Sequence, residues 1–164
     1  MQAKLQMKVK EIQKDLFADY FQFYLQDEQS NGDLSHSRTE QALYNMLAIA
    51  PGVVGVGWVR NMNVPVEVKV LDLQPDNNFE AWNHVTEASL AVPSRQIVIA
   101  GCTDYFPDAA RITVEPGTYR VRVYYGGLDS VDVWKLDGDD HYKVVLWLNA
   151  DIAETKVLKR WKGA

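Results

Sequence analysis

Residues 64–73 read VPVEVKVLDL, and the alternation of side chains in this stretch sets the fold class. Val64, Val66, Val68 and Val70 are separated by single residues, which are proline, glutamate and lysine. Successive side chains of a β-strand point to opposite faces, so the four valines share one face. One apolar and one polar face are typical of a half-buried antiparallel strand.

Eight further segments carry strand signals at a spacing of about ten residues, with turn residues between them. They are residues 17–27, 53–59, 79–92, 95–101, 111–114, 118–125, 141–147 and 155–161. Residues 53–59 and 64–73, joined by the turn RNMN, are expected to form a β-hairpin. Because strands do not alternate with helices, a parallel sheet is not expected. The pattern is typical of a sandwich or barrel, and we predict a mostly β fold, an antiparallel β-sandwich of about nine strands with one short helix.

The strand at residues 141–147 differs from the others because both of its faces are apolar. Val144 and Leu146 lie on one face, and Val145 and Trp147 lie on the other. A strand of this kind is expected at the centre of a sheet, covered on both sides.

The short helix is predicted near residues 38–49. Ser37 and Glu40 have the spacing of a capping box, which satisfies free backbone donors at the start of a helix. Apolar residues with helical spacing follow, and they are Leu43, Met46, Leu47 and Ala50. Pro51 and Gly52 are expected to end the helix.

A chain of 164 residues is long enough for one domain with a real core, and we expect a single domain over 1–164. The chain carries −5 in total; residues 1–14, a basic N-terminal segment, carry +3 and residues 155–164, a basic C-terminal strand, carry +4. Residues 15–154 therefore carry −12. Such an acidic body disfavours nucleic acid and favours basic partners, although acidic surfaces also serve solubility alone.

The start of the chain has no apolar signal core, no stretch is long enough to span a membrane, and one cysteine cannot form an internal disulfide. We therefore expect a cytoplasmic protein without a membrane partner.

The sequence offers little support for catalysis or a metal. The three histidines, His36, His84 and His141, lie far apart, and Cys102 has no second cysteine near it. No calcium-loop, serine-nucleophile or phosphate-loop motif is present. Cys102 lies near acidic residues, which do not favour a thiolate. A hydrolase that uses paired carboxylates remains an alternative, but we expect no enzyme, cofactor or metal.

Acidic residues gather in two predicted loops. DGDDH at 137–141 precedes a strand, and CTDYFPD at 102–108 follows one. Either stretch is explained by turn chemistry alone, or it forms a negative surface for a basic partner. On the second interpretation the partner-binding residues are Asp104, Tyr105, Asp108, Asp137, Asp139, Asp140 and His141. Replacing the three aspartates at 137–140 by asparagine is then expected to change stability little.

Three aromatic pairs leave another function open. Tyr20-Phe21, Tyr105-Phe106 and Tyr124-Tyr125 either pack within sheets or line a platform for a small ligand or carbohydrate.

Three stretches resemble the competence-associated nuclease inhibitors of the ComJ type. They are LFADYFQFYLQDE (16–28), ARITVEPGTYRVRVYY (110–125) with Pro116, Gly117 and Tyr119, and DDHYKVVLW (139–147). The sequence also resembles a set of uncharacterised bacterial proteins with AGCTDYFPDA and GDDHY. The resemblance implies a β-rich inhibitor that sequesters a nuclease in a stoichiometric complex, and it carries over no catalytic residue. From it we expect a non-enzymatic intracellular inhibitor or immunity-like protein whose partner is a basic nuclease or toxin.

Overall fold

The computed structural model describes residues 10–17 and 22–163, which form two facing β-sheets, one short α-helix and three 3₁₀ helices. The strands are β1 (Lys10–Phe17), β2 (Gln22–Asp27), β3 (Leu47–Ala50), β4 (Val53–Gly57), β5 (Asn63–Leu71), β6 (His84–Val92), β7 (Gln96–Gly101), β8 (Ala110–Thr113), β9 (Gly117–Gly126), β10 (His141–Leu148) and β11 (Lys156–Lys159). Helix α1 spans Glu40–Asn45, and the 3₁₀ helices span Leu34–His36, Phe106–Asp108 and Leu128–Ser130. This architecture confirms the predicted β-sandwich with one short helix.

The first sheet has six strands in the order β1-β5-β10-β9-β6-β11, and the second has five in the order β3-β4-β2-β7-β8. One strand pair departs from the predicted antiparallel arrangement, because β5 and β10 pair in parallel. The predicted hairpin of 53–59 and 64–73 was also wrong. β4 pairs with β2 and β3, whereas β5 pairs with β1 and β10 in the other sheet. Alternating valines bury one face of each strand, and facing strands of a sandwich achieve this as well as paired strands do.

Two strands were not predicted, which raises the count from about nine to eleven within the described residues. β1 is an edge strand that includes residues 10–14 of the basic N-terminal segment; residues 1–9 of that segment lie outside the described residues. Only Leu16 of β1 is buried, with Ile12 packed partly against the core. Lysine-rich, mostly polar edge strands have weak sequence signals, because one partner strand and a few apolar contacts hold them. The predicted strand at 17–27 is divided between two strands. Phe17 ends β1, residues 18–21 lie outside the described residues, and Gln22–Asp27 form β2.

The helix is shorter than predicted, and it begins at a different cap. The hydroxyl of Thr39, not that of Ser37, accepts a hydrogen bond from the amide of Ala42 at 3.1 Å. The helix ends at Met46, which has a left-handed backbone with φ of 61°. None of its residues is buried, and Leu47 belongs to strand β3. The apolar residues at helical spacing therefore do not form the buried face of a helix. Leu47 lies in a strand, and Met46 packs partly against the core.

The main core lies between the two sheets. The first sheet contributes Val64, Val66 and Val68, all at most 3% exposed, which confirms the predicted inward face of residues 64–70. The second sheet contributes buried side chains from β2, β4 and β7, and they are Phe23, Leu25, Val54, Val56, Ile97 and Ile99.

The outer face of the six-stranded sheet carries a second apolar cluster. Val145 and Trp147 of β10 pack there with Val85 and Tyr124, and residues of the β5–β6 connection, among them Phe79, cover them. Val144 and Leu146 are fully buried on the core side of the same strand. β10 is therefore central and covered on both faces, as its sequence predicted.

A buried ion pair lies within this second cluster. Arg122 donates to Glu87 at 2.9 Å and to the carbonyl oxygen of Asp76 at 2.9 Å. Its guanidinium carbon lies 5.4 Å from the Phe79 ring centroid and 5.2 Å from that of Trp147. Charge pairing and two aromatic faces together compensate the loss of water around a residue that is only 2% exposed.

His84 holds the end of the basic C-terminal segment, beyond β11. The backbone amide of Trp161 donates to Nδ1 of His84 at 3.0 Å, so Nε2 carries the proton and donates to the carbonyl oxygen of Asn45 at 2.8 Å. Arg160 donates to the carbonyl oxygen of Tyr44 at 2.9 Å. These contacts tie the chain after β11 to the end of helix α1.

We predict that Trp147→Ala lowers the free energy of unfolding by about 3–5 kcal/mol, because it opens a cavity in the second cluster. The neighbouring Leu148 is 52% exposed, so Leu148→Ala is a matched control with an expected change within about 0.5 kcal/mol. Urea unfolding followed by circular dichroism measures both. Equal losses in the two variants would contradict the central position of β10.

We also predict that stability falls as the pH drops below 6.5. Burial lowers the pKa of His84 from its ordinary value of 6.5, and the nearby charge of Arg160 acts in the same direction. In this range the unfolded chain takes up a proton that the folded chain does not, so acid favours unfolding. His84→Gln is expected to flatten the dependence of unfolding free energy on pH between about 7.5 and 5.5. Parallel pH curves for the two proteins would show that the His84 contacts do not control it.

Candidate functional site

The loop between β9 and β10, residues 127–140, is held by its own hydrogen bonds. Asp132 accepts from the amides of Leu136 at 3.0 Å and Asp137 at 3.3 Å, and its own amide donates to the carbonyl oxygen of Asp137 at 2.9 Å. The amide of Asn61, from the β4–β5 connection, donates to the carbonyl oxygen of Lys135 at 2.8 Å. The Leu136 amide, with help from other amides of the loop, lowers the pKa of Asp132 from its ordinary value of 3.8.

Two glycines allow the arms of this loop to come together. Gly127 has φ of 65°, and a Cβ atom there would lie 2.4 Å from the carbonyl oxygen of Asp139. A Cβ atom at Gly138 would lie 2.9 Å from the Cα atom of Val131. Any other residue at either position would push the arms apart, so the loop requires both glycines.

The tip of the loop presents large apolar side chains to solvent. Trp134 is 77% exposed, Val133 is 87% exposed and Leu136 is 47% exposed. Asp137 and Asp139 are exposed on the same loop. An apolar tip beside carboxylates is typical of an interaction surface, because a folded protein gains nothing by exposing tryptophan.

Asp140 does not belong to that exposed surface, which corrects its prediction as a partner-binding residue. Its side chain is fully buried and accepts from Arg60 at 2.6 Å and from the hydroxyl of Tyr142 at 2.8 Å. The Tyr142 hydroxyl also accepts from the amide of Val59 at 3.1 Å. Burial, and then the charge of Asp140, raise the pKa of Tyr142 above 10. The aspartate fastens the end of the loop to the segment that crosses between the sheets.

His141 opens β10 and is exposed. Its Nδ1 lies 3.0 Å from the carbonyl oxygen of Asp139, and its ring centroid lies 5.3 Å from that of Trp82. It is therefore adjacent to the acidic loop and available at the surface.

The second predicted cluster lies in the β7–β8 loop. Asp104 is exposed, and its side chain accepts from the amide of Gly101 at 2.8 Å. Tyr105 is 70% exposed, and Asp108 ends an exposed 3₁₀ turn. Arg111 holds the turn by donating to the carbonyl oxygens of Ala109 at 2.7 Å and Phe106 at 2.9 Å.

Both loops leave the same end of the sandwich. Gly101, at the end of β7, pairs with Phe23, whose ring centroid lies 6.5 Å from that of Tyr142 at the start of β10. Within residues 10–17 and 22–163, however, no hydrogen bond or ion pair joins the two loops. The structure thus places Asp104, Tyr105, Asp108, Asp137, Asp139 and His141 at one end without making them one cluster.

The remaining sequence candidates have structural partners. Cys102 lies 3.1 Å from the hydroxyl of Tyr24, and burial together with this contact raises the pKa of Tyr24. A tyrosine that stays protonated at neutral pH does not activate a thiol. Of the aromatic pairs, Tyr124 and Tyr125 are buried, whereas Tyr20-Phe21 lies outside the described residues.

In the described part of the chain, no group of three or more His, Cys, Asp or Glu side chains is placed to hold a metal ion. No helix there is long and apolar enough to cross a membrane.

Sequence reasoning missed Trp134 and Val133. The signal was present, since VDVWKLDGDD places a tryptophan within a polar, glycine-containing loop. A tryptophan in such a loop has no strand or helix face through which to enter the core, so the sequence favours an exposed side chain.

We predict that Asp140→Ala destabilises the fold by about 3–5 kcal/mol, because it leaves Arg60 without its carboxylate and Tyr142 without its acceptor. Asp139→Ala, one residue away and exposed, is the matched control and is expected to change stability within about 0.5 kcal/mol. Thermal and urea unfolding measure both changes. This replaces the expectation that all three aspartates can be substituted at little cost. A stable Asp140→Ala variant would show that the pair does not hold the loop.

Comparison with known proteins identifies the fold. No protein-family model matches the chain, and no curated protein matches it. Two solved structures do. One is ComJ from Bacillus subtilis, an inhibitor of the DNA-degrading activity of NucA, with a TM-score of 0.63 and 15% identity over 88% of this chain and 99% of ComJ. The other is the product of crocagin biosynthetic gene J, with a TM-score of 0.55 and 15% identity over 88% of this chain and 99% of that one. The chain therefore has a ComJ-like fold.

Proposed function

We propose that this protein is a non-catalytic inhibitor that binds a basic nuclease or toxin inside the cell. The observation that carries the proposal is the β9–β10 loop, which holds an exposed Trp134 together with the exposed carboxylates of Asp137 and Asp139. The partner surface consists of this loop with the β7–β8 loop at its flank.

Trp134 is proposed as the central anchor of the interface. Tryptophan is among the residues that contribute most to protein interfaces, because burying its large flat side chain costs little conformational entropy. The hydrogen bonds of Asp132 fix the loop before binding, so less order has to be gained in the complex.

The charges around the anchor suit a basic partner. Asp137 and Asp139 outnumber the one exposed cation of the loop tip, Lys135, and Asp104 and Asp108 lie at the same end of the sandwich. A nuclease presents positive charge where it holds DNA phosphates. A negative surface that enters such a cleft accelerates association and excludes the substrate.

The similarity of the fold to ComJ supports an inhibitor role in general and no particular partner. ComJ is an inhibitor of the DNA-degrading activity of NucA. An inhibitor that blocks the cleft of a nuclease needs no reactive group. This agrees with the contact of Cys102 with the hydroxyl of Tyr24 and with the buried ion pair of Asp140 and Arg60.

The proposal predicts that the protein suppresses DNA degradation by NucA, or by a nuclease of its own host, in a one-to-one complex. Trp134→Ala is expected to weaken binding about 30-fold or more, which corresponds to about 2 kcal/mol for an interface anchor. The joint substitution Asp137→Asn and Asp139→Asn is expected to slow association, most strongly at low salt where screening is weakest. Surface plasmon resonance at two salt concentrations, together with a DNA-cleavage assay, measures these effects.

Matched controls lie at the opposite end of the sandwich. Ile152→Ala removes an apolar side chain that is 83% exposed, and the joint substitution Asp151→Asn and Glu154→Gln removes two exposed carboxylates. Neither is expected to alter inhibition. Full inhibition by the Trp134 and Asp137/Asp139 variants, or equal losses in the controls, would refute the proposed surface. Failure to inhibit any of these nucleases would refute the proposed function.

A further inference from the structure

A cleft of about 450 Å³ opens between helix α1, strands β3 and β4, and residues 160–163. Its volume lies within the range of small-molecule sites, and its lining is mostly apolar with a few polar groups, as in such sites. Trp58, Trp161 and Tyr44 supply aromatic walls, and Leu43 and Met46 supply aliphatic ones. Trp134, Asp137 and Asp139, which form the proposed nuclease surface, do not line the cleft. Asp129 of the same loop accepts from the indole N–H of Trp161 at 2.8 Å and so supports the cleft wall.

The charge of the cleft is opposite to that of the whole protein. Arg38 and Arg160 both line it, and no aspartate or glutamate does so among the described residues. Arg160 donates to the side-chain oxygen of Asn45 at 2.7 Å and lies 3.7 Å from the ring centroid of Tyr44. The hydrogen bond of Arg38 is a long one, 3.4 Å to the hydroxyl of Tyr24. In the described part of the chain neither arginine forms an ion pair with a carboxylate.

One of the lining residues, Trp58, carries a buried donor without an acceptor in the part of the chain that the structure describes. Trp58 is only 4% exposed, and its indole N–H has no hydrogen-bond acceptor among the described residues. A buried donor without an acceptor costs free energy, and an acceptor atom on a ligand that reaches it removes that cost. Among the described lining residues, Trp58 is alone in having such a buried side-chain atom.

We propose that this cleft is a binding site for a small aromatic anion, with an aromatic carboxylate as the fitting class. The rings of Trp58, Trp161 and Tyr44 contact the flat body of the ligand. The guanidinium groups of Arg38 and Arg160 hold its carboxylate, which matches their planar donor geometry.

The site is one for binding and not for catalysis. His84 is the lining residue with an imidazole, and both of its nitrogens are already engaged, by the Trp161 amide and the Asn45 carbonyl oxygen. Neither nitrogen is free to exchange a proton with a ligand.

The test uses 2-naphthoate as the probe and 2-naphthalenemethanol as its uncharged counterpart with the same ring system. Each is titrated into ¹⁵N-labelled full-length protein, and the assigned tryptophan indole N–H resonances are followed. Naphthoate is expected to shift the Trp58 and Trp161 resonances in a saturable manner while that of exposed Trp134 stays constant. The alcohol is expected to bind several-fold more weakly, because it lacks the charge that the arginines hold.

Two variants locate the site. Arg38→Gln is expected to weaken naphthoate binding by about fivefold, as loss of one partly screened charge contact requires. Leu43→Asp places a negative charge at the mouth, on a side chain that is 68% exposed, and is expected to abolish binding while leaving the fold intact. Lys156→Gln, which removes one positive charge from exposed β11 outside the cleft, is the control and is expected to bind naphthoate unchanged.

The proposal is overturned if naphthoate produces no saturable shift at Trp58 and Trp161, or if the acid and the alcohol bind equally. It is also overturned if Arg38→Gln and Leu43→Asp bind naphthoate as the unaltered protein does. None of these results bears on nuclease inhibition, which is measured with a different ligand at a different surface.

Discussion

The structure depends on the burial of strand β10 from both sides. Its Val144 and Leu146 belong to the core between the sheets, and its Val145 and Trp147 belong to the cluster on the outer face. The same strand pairs in parallel with β5 and antiparallel with β9, so it joins the two halves of the six-stranded sheet. Loss of its position would open both apolar clusters together, whereas other strands contribute mainly to one.

The central strand also fixes the surface proposed to bind the nuclease. Asp140 immediately precedes β10, and its pairing with Arg60 and Tyr142 joins the acidic loop to the crossover between β4 and β5. The remaining carboxylates of the loop divide into two roles. Asp129 accepts from the indole N–H of Trp161 and Asp132 accepts amide hydrogen bonds within the loop, whereas Asp137 and Asp139 face solvent. A run of acidic residues in the sequence therefore contains structural and exposed members side by side. Only the exposed members are available to a partner.

The sequence predicted those features that depend on local alternation. Val64, Val66 and Val68 face the core, and the two apolar faces of residues 144–147 are both buried, because a period of two residues determines the faces of a strand. Alternation does not determine which strand is the neighbour, so the crossover between β4 and β5 was taken for a hairpin. It also does not reveal partners far apart in sequence. The burial of Asp140 depends on Arg60, 80 residues away, and no local pattern indicates such a pair.

The measurement that tests the central claim most directly is hydrogen–deuterium exchange of the protein alone and in complex with a nuclease that it inhibits. The account predicts new protection of backbone amides in residues 131–139, with weaker protection in residues 102–109. It predicts no change in residues 149–155 at the opposite end of the sandwich. Protection confined to residues 149–155, with the exchange of residues 131–139 unaltered by the nuclease, would contradict the account.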